Sequence, residues 1–331
     1  MEHRKMDRTL EIFFRGLRGE DLSVQRLANE YGVSTKSITR SINDLKAFLA
    51  DHRDLVGQTE LQYSYQDKCY RLHMEEFLSN KELFALLEVL IGARAFSKME
   101  LLTLTDKLKR FTTPEDRSKL SELIRKELYH YSEVKHDCES VQERLWQLVN
   151  CINERHEITI DYYRMDRKWV THRLRPASVM FTDHYFYLVA FKTDDPEKPT
   201  YFRVDRIKEL IIHRRHFTTE ETPKFDEGWL RDRSLFMWPG PMRTIRFEFT
   251  GPSVQAVLDK LPTAKIIDRT TTPDGKTKYL IEAETYGDGI KMWLLSQGEW
   301  VKVLSPEELV SLINNEITAI ANYYKSLIEN I

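Results

Sequence analysis

Little in this chain invites covalent or metal chemistry. Its three cysteines (Cys69, Cys138 and Cys151) are odd in number and widely spaced. They make no disulfide framework and no Cys-x-x-Cys metal pair, so a reducing cytoplasm is the simple expectation. Glycine (12 residues) and proline (11) are scarce, which leaves little room for low-complexity linkers or glycine-rich phosphate loops. No apolar run reaches the roughly 18 residues of a membrane span. The best stretch, Leu83 to Ile91, is interrupted by Glu88. The opening Met1-Glu2-His3-Arg4-Lys5-Met6-Asp7 has no apolar region behind it, so no signal peptide and no membrane partner are expected. Charge of one sign is missing too: 50 Lys and Arg face 52 Asp and Glu, for a net charge of -2. That argues against coating nucleic acid by bulk charge, but not against a local basic patch.

What the chain has is apolar material (41%) beside an unusually charged surface (31%). Over 331 residues this supports about two domains, or three if they are small. A pass along the chain divides it into 1–75, a helical connector at 76–154, a strand-rich module at 155–220 and a last domain at 240–331.

In the first segment, Leu10, Phe13, Phe14 and Leu17 fall at helical spacing over roughly residues 6–18, and Gly19 ends that helix. Leu22, Leu27 and Ala28 support a second, short helix with Ser23 as N-cap. Tyr31-Gly32-Val33-Ser34 then supplies a tight turn, a plug between helices and a cap. A third helix carries Ile38, Ile42, Leu45 and Leu49 as one stripe. Its other face and first turn hold Thr35, Lys36, Ser37, Arg40 and Asn43, side chains that donate to phosphates and base edges. Residues 58–65 and 68–72 alternate as a hairpin around Gln66-Asp67, with Lys68 and Arg71 placed for phosphates. Ser34, Thr35, Lys36, Ser37, Arg40, Asn43 and Lys68 are thus the DNA-binding candidates. The string Leu27 to Leu45 resembles the winged helix-turn-helix of DeoR-like bacterial regulators, whose pattern has an acidic residue where this chain has Ser41. A double-stranded operator is the implied partner.

Residues 79–153 read as wholly helical, with a Ser79/Glu82 capping box and a start at Thr113-Pro114-Glu115-Asp116. Its last helix is marked by Val141, Leu145, Trp146, Val149 and Ile152. From about 155, Ile158 to Tyr163 alternates with period 2. Further short strands follow around Leu174-Arg175-Pro176, Phe186 to Phe191 and Tyr201 to Ile207, a pattern for a small, partly open β-barrel.

This module is similar to a WYL domain, an Sm-like barrel of bacterial transcription regulators. The family triplet is Phe186-Tyr187-Leu188 here, Pro176 precedes it by ten residues, and Arg203-Val204-Asp205-Arg206-Ile207 gives the closing R-x-D-R-I string. Thr200 stands where many members have an additional arginine. The resemblance implies a basic groove that senses a nucleotide or short single-stranded nucleic acid. Guanidinium on phosphate and aromatic on base would be the pairing used. Tyr162, His172, Arg173, Tyr187, Arg203 and Arg206 are the effector candidates. Arg203 and Arg206, three apart, would face opposite ways on one continuous strand unless a bend intervenes. A salt bridge from either to Asp205 or Glu209 is the competing use.

Residues 242–331 read β-α-β-β-α-β-α, as in a ferredoxin-like sandwich. Thr272-Pro273-Asp274-Gly275 is a turn signal, and Ser305-Pro306-Glu307-Glu308 opens a long last helix. Trp293 to Leu309 resembles the extension that often follows WYL modules and reaches a partner subunit, which implies a homodimer. His213 and His216 lack a carboxylate or cysteine to complete a metal set. No H-E-x-x-H, G-x-S-x-G or G-x-x-x-x-G-K-[ST] string is present, so neither a cofactor nor an enzyme is expected. The sequence-level picture is an α+β multidomain chain: winged helix-turn-helix, helical connector, Sm-like β-barrel and ferredoxin-like C-terminal domain. It fits a cytoplasmic DNA-binding regulator; the alternative is an effector-binding adaptor that acts on a protein partner without specific DNA binding.

Overall fold

The computed structural model describes residues 2–74, 78–112, 114–224, 226–273 and 275–328. The sequence signals at Thr113 and Asp274 lie outside them. The chain divides into two compact units, 1–135 and 136–331.

The first unit begins with α1 (Glu2–Leu17), α2 (Val24–Tyr31), α3 (Thr35–Asp51) and a single turn, α4 (Arg53–Val56). The hairpin β1 (Thr59–Ser64) and β2 (Cys69–Met74) follows. Ser23 caps α2 and Ser34 caps α3, each accepting from a backbone N–H three residues on. Between them Gly32 closes α2 at φ 62°, a left-handed position that costs other residues about 1 kcal/mol or more. The α3 stripe Ile38, Ile42, Leu45 and Leu49 is buried as its spacing requires, against Ile12, Leu22, Leu27 and Leu61. Leu22 is not helical: it bridges Tyr70 of β2.

Helix α1 is turned relative to the sequence expectation. Leu10 is 52% and Phe14 53% exposed, while Ile12 is fully buried. The reason is visible on its inner face. Gly16 lets Leu22 and Leu72 approach closely, and Arg8 donates from Nε (3.3 Å) and Nη2 (3.1 Å) to the buried Ser41 hydroxyl of α3. Phe13 of the expected stripe does pack against the core, but glycine and arginine share the inner face, so apolar spacing alone misplaces Leu10 and Phe14.

Helices α5 (Asn80–Ala93), α6 (Lys98–Lys109) and α7 (Pro114–Tyr129) complete the unit around Ile91, Leu101 and Ile124. The Ser79/Glu82 capping box is present. Residues 131–140 contain no helix, contrary to the sequence reading. Their groups are spent on tertiary bonds instead. Tyr131 Oη donates to the Phe96 carbonyl (2.7 Å), Arg94 Nε donates to the Ser132 carbonyl (2.7 Å), and Lys98 N–H donates to the Glu133 carboxylate (2.6 Å).

The second unit opens with α8 (Val141–Asn153), then β3 (His156–Tyr163), β4 (Trp169–Thr182), β5 (Tyr185–Lys192) and β6 (Pro199–Arg203). A 3₁₀ turn at Val204–Arg206 leads into β7 (Ile207–His216). The sheet order is β6-β5-β4-β3-β7, antiparallel throughout. Leu148 and Cys151 of α8 sit in one core with Ile158, Ile160, Leu174, Leu188 and Phe202. Helix α8, assigned to the connector from sequence, therefore belongs to this β module. Pro176 lies inside β4, where a register shift between Pro176 and Ser178 absorbs its missing N–H.

The sheet is open between its two edges, in keeping with the partly open barrel expected from sequence. No ladder joins β6 to β7 among the described residues, although three residues connect these two edges. So short a link holds the edges within roughly 13 Å, less than a flat five-stranded sheet would span at about 4.8 Å per strand, so the sheet curls. At the end of β6, the Arg203 N–H donates to the Tyr162 hydroxyl (3.1 Å). A side chain satisfies the amide there, and a ladder partner is not needed.

After α9 (Glu227–Arg233) come β8 (Met242–Phe249), α10 (Val254–Lys260), β9 (Lys265–Thr271), β10 (Thr277–Tyr286), α11 (Gly289–Ser296), β11 (Val301–Ser305) and α12 (Glu307–Ile328). The order β11-β8-β10-β9, all antiparallel, is covered by helices around Phe247, Ile281, Ile290, Trp293 and Leu309. Helix α12 starts after Pro306 and not with it. The two sheets of this unit meet through Met180, Val189, Leu230 and Met237. Gly287 (φ 90°) fixes that junction, because a Cβ there would lie 2.0 Å from the Trp238 carbonyl oxygen.

Candidate functional site

In the first unit, α3 presents Thr35, Lys36, Arg40 and Asn43 to solvent. Residues 36, 40 and 43 follow the helical i, i+4, i+7 spacing and form one polar face. Lys36 and Arg40 have no ion pair among the described residues. Ser34 and Ser37 are engaged differently: Ser34 Oγ accepts the Ser37 N–H (3.3 Å) and lies 3.1 Å from the Ser37 hydroxyl. They position the helix start, leaving the cationic face to Lys36 and Arg40. Lys68 occupies the hairpin turn at φ 52°. Arg71 does not join that face, because it is fastened to Asp21 (2.6 Å) and Asp67 (2.9 Å).

In the second unit, the effector candidates separate into three groups. Tyr162 is buried on the inner face of β3, and the Arg206 guanidinium lies beside its hydroxyl. Burial pushes the Tyr162 hydroxyl up, against the pull of Arg203 and Arg206. His172, opposite Ile160, shares this face and tilts against Phe202 at 5.3 Å. Burial first, then the Lys192 charge, pushes its imidazole down. Arg206 makes no ion pair among the described residues and is the available cation here.

Tyr187 and Arg203 stand opposite each other on β5 and β6. The Arg203 guanidinium carbon sits 3.4 Å from the centroid of Tyr185, a stacking partner the sequence reading missed. Its period-2 relation to Tyr187 was the available signal. Arg203 is held by Asp205 through Nε–Oδ1 (3.0 Å) and Nη2–Oδ2 (2.6 Å). The turn at 204–206 supplies the bend that alternation requires, so both arginines act on Tyr162 although they are not on one strand.

Arg173 is not brought to either group. It faces the other side of β4, where its Nη2 lies 2.8 Å from Glu157. Glu157 is fully buried and also takes Arg175 (3.2 Å) and Arg215 (2.6 Å); Glu221 bridges the latter two. A buried carboxylate must be neutralised, and Arg173 is part of that requirement.

Asp205 is buried as well, with His136 Nδ1 at 3.3 Å from its Oδ2. Burial alone would raise the carboxyl. Hydrogen bonds from His136 and Arg203 outweigh it and hold Asp205 below its ordinary value. A depressed folded-state value adds stability that is complete above the ordinary carboxylate pKa of about 4 and is lost as pH falls through the folded value. Asp205→Asn is expected to lower the urea midpoint at neutral pH, with the gap to the parent narrowing in acid. An equal gap at both pH values would show that the charge of Asp205 contributes nothing.

With this geometry in place, the comparisons define a class. Residues 143–212 match the WYL domain family and residues 241–321 match the WCX domain family. The WYL match takes in most of α8 with the curled sheet; the WCX match covers the last sheet and most of α12. The second unit is thus similar to a WYL domain followed by a WCX domain. Solved structures that align include the proteasome accessory factor B/C (PafBC) of Arthrobacter aurescens, at 18% identity and a TM-score of 0.30. That alignment covers 97% of this chain and 49% of the other, so this chain spans about half its length. Another is described as a CRISPR Cas-related protein, at 16% identity and a TM-score of 0.36, with 89% of this chain and 88% of that one covered. No curated protein matches. Among the described residues no helix is long and apolar enough to cross a membrane, and no cluster of three or more His, Cys, Asp or Glu could hold a metal.

Proposed function

We propose that this protein is a DNA-binding transcription regulator whose WYL-type module senses a nucleotide or a short single-stranded nucleic acid, and that it acts as a homodimer on an inverted-repeat operator. The carrying observation is the Lys36–Arg40–Asn43 face. It is exposed, without an ion pair among the described residues, on a helix whose start is capped by Ser34 after a glycine turn. The order α1, α2, turn, α3, hairpin is the one a winged helix-turn-helix of the DeoR-like kind uses to enter the major groove. For the effector, Arg206 beside Tyr162 supplies a cation for phosphate. Tyr185 and Tyr187 supply aromatic surface near Arg203 for a base. Regulation, not catalysis, is the reading these groups support.

The test is selection of bound duplexes from genomic fragments, followed by a salt titration of the best sequence against bulk duplex. A specific complex at least a thousandfold tighter than bulk duplex at matched salt, order of magnitude, is the expected result. Equal affinity for both would overturn operator recognition and favour the adaptor alternative. Sedimentation of the operator complex reports whether two copies bind.

A further inference from the structure

The segment that joins the two units is fastened on both sides. On the first-unit side Tyr131, Ser132 and Glu133 are held by Phe96, Arg94 and Lys98. Three residues later His136, buried, is held by Asp205, and the same carboxylate grips Arg203 with both oxygens. His136 Nε2 is buried and has no hydrogen-bond partner. Among the described residues, only packing and the bond to Asp205 secure its ring.

We propose that the chain Arg203–Asp205–His136 couples anion capture at the effector site to release of the segment joining the two units. This rests on the effector reading above and adds its regulation. An anion that draws the Arg203 guanidinium away from Asp205 competes for the same donors. Arg203 Nη2 and His136 Nδ1 share the Oδ2 oxygen of Asp205, so the guanidinium fixes the orientation in which that oxygen meets the imidazole; without it the carboxylate turns and the His136 contact is lost. While His136 is held, the free chain between fastenings runs from Glu133 to His136, roughly 10 Å at full extension. Once His136 lets go, that reach grows toward α8. A longer tether lowers the effective concentration of one module at a site held by the other, which changes operator affinity without any new contact. By linkage, whatever favours the released state must also favour effector capture. His136 and Asp205 are positioning residues in this scheme, since neither needs to touch the effector.

Binding of a short mixed-sequence single-stranded oligodeoxynucleotide to the full chain, read by fluorescence anisotropy, tests the coupling together with amide hydrogen exchange of peptides spanning 130–140. In the parent, oligonucleotide binding is expected to speed exchange in that segment. Asp205→Asn frees Arg203 and is expected to tighten oligonucleotide binding roughly five- to 150-fold, the range of ordinary coupling energies. It should also speed exchange in 130–140 without ligand. His136→Gln removes one of the two contacts that fix the Asp205 carboxylate, so by the same linkage it is expected to tighten oligonucleotide binding while speeding exchange in 130–140 without ligand. Tighter binding in both variants is the discriminating feature, because general damage would weaken it. If Asp205→Asn does not fold, His136→Gln and the parent comparison decide alone. Oligonucleotide binding with unchanged exchange in 130–140 overturns the coupling and leaves the effector site standing. No oligonucleotide binding by the parent overturns the effector reading, and the coupling with it.

Discussion

Arg40→Ala is expected to weaken binding to the selected operator by about 1–3 kcal/mol, roughly five- to 150-fold, and to relax its sequence preference. The side chain is exposed on the α3 face, so its loss removes an intermolecular contact without opening the core. Lys36→Ala, one turn earlier, is expected to act differently. A lysine on phosphate lowers affinity evenly across sequences and reduces the slope of log affinity against log salt by about one. Neither change should move the thermal transition, since neither residue makes an intramolecular ion pair among those described. Paired anisotropy titrations on operator and scrambled duplex at several salt concentrations separate the two effects. Unchanged operator affinity in both variants would remove α3 from the interface altogether.

Glu157→Ala is expected to be the most damaging single change in the second unit. Its carboxylate is fully buried, and three arginines converge on it. Two of these, Arg173 and Arg215, are half exposed and can recover solvation. Arg175, 11% exposed, cannot, and it is left with Glu221 alone. Removing one partner of a buried pair costs about 3–5 kcal/mol. Screening of the outer arginines argues for the lower end, near 3 kcal/mol. For a unit of this size that is a fall of roughly 6–12 °C in its melting transition. Arg215→Ala should cost much less. Calorimetry of both variants in low and high salt makes the comparison. A Glu157→Ala transition that coincides with the parent's would mean the cluster is an ornament of the surface.

Legibility in the sequence followed the range of the interactions. Helix α3 could be read residue by residue, because its apolar stripe and its Ser34 cap are local. The face of α1 could not. Met6, Leu10 and Phe14 repeat convincingly yet lie exposed, while Gly16 and Arg8 face inward for reasons set by Leu72 and Ser41. The same limit governs the candidate effector residues. The R-x-D-R-I string located Arg203, Asp205 and Arg206, and the competing salt-bridge use named from sequence is the one Arg203 has. Arg173 was grouped with Tyr162 because strand register, which puts them on opposite faces, is a tertiary property. His136 and Glu157 carried no signal at all, since their partners lie tens of residues away.

The assignment of α8 to the β module alters what counts as an interchangeable part. Leu148 and Cys151 supply core to the sheet, so a splice after residue 154 would strip a wall from the β module while appearing to respect its strands. A graft that swaps the first unit for another belongs in the short stretch at Val134–Lys135, between the two fastenings. There a change of reader, or of tether length, leaves both folded units whole. Evolution by exchange of modules would find the same seam.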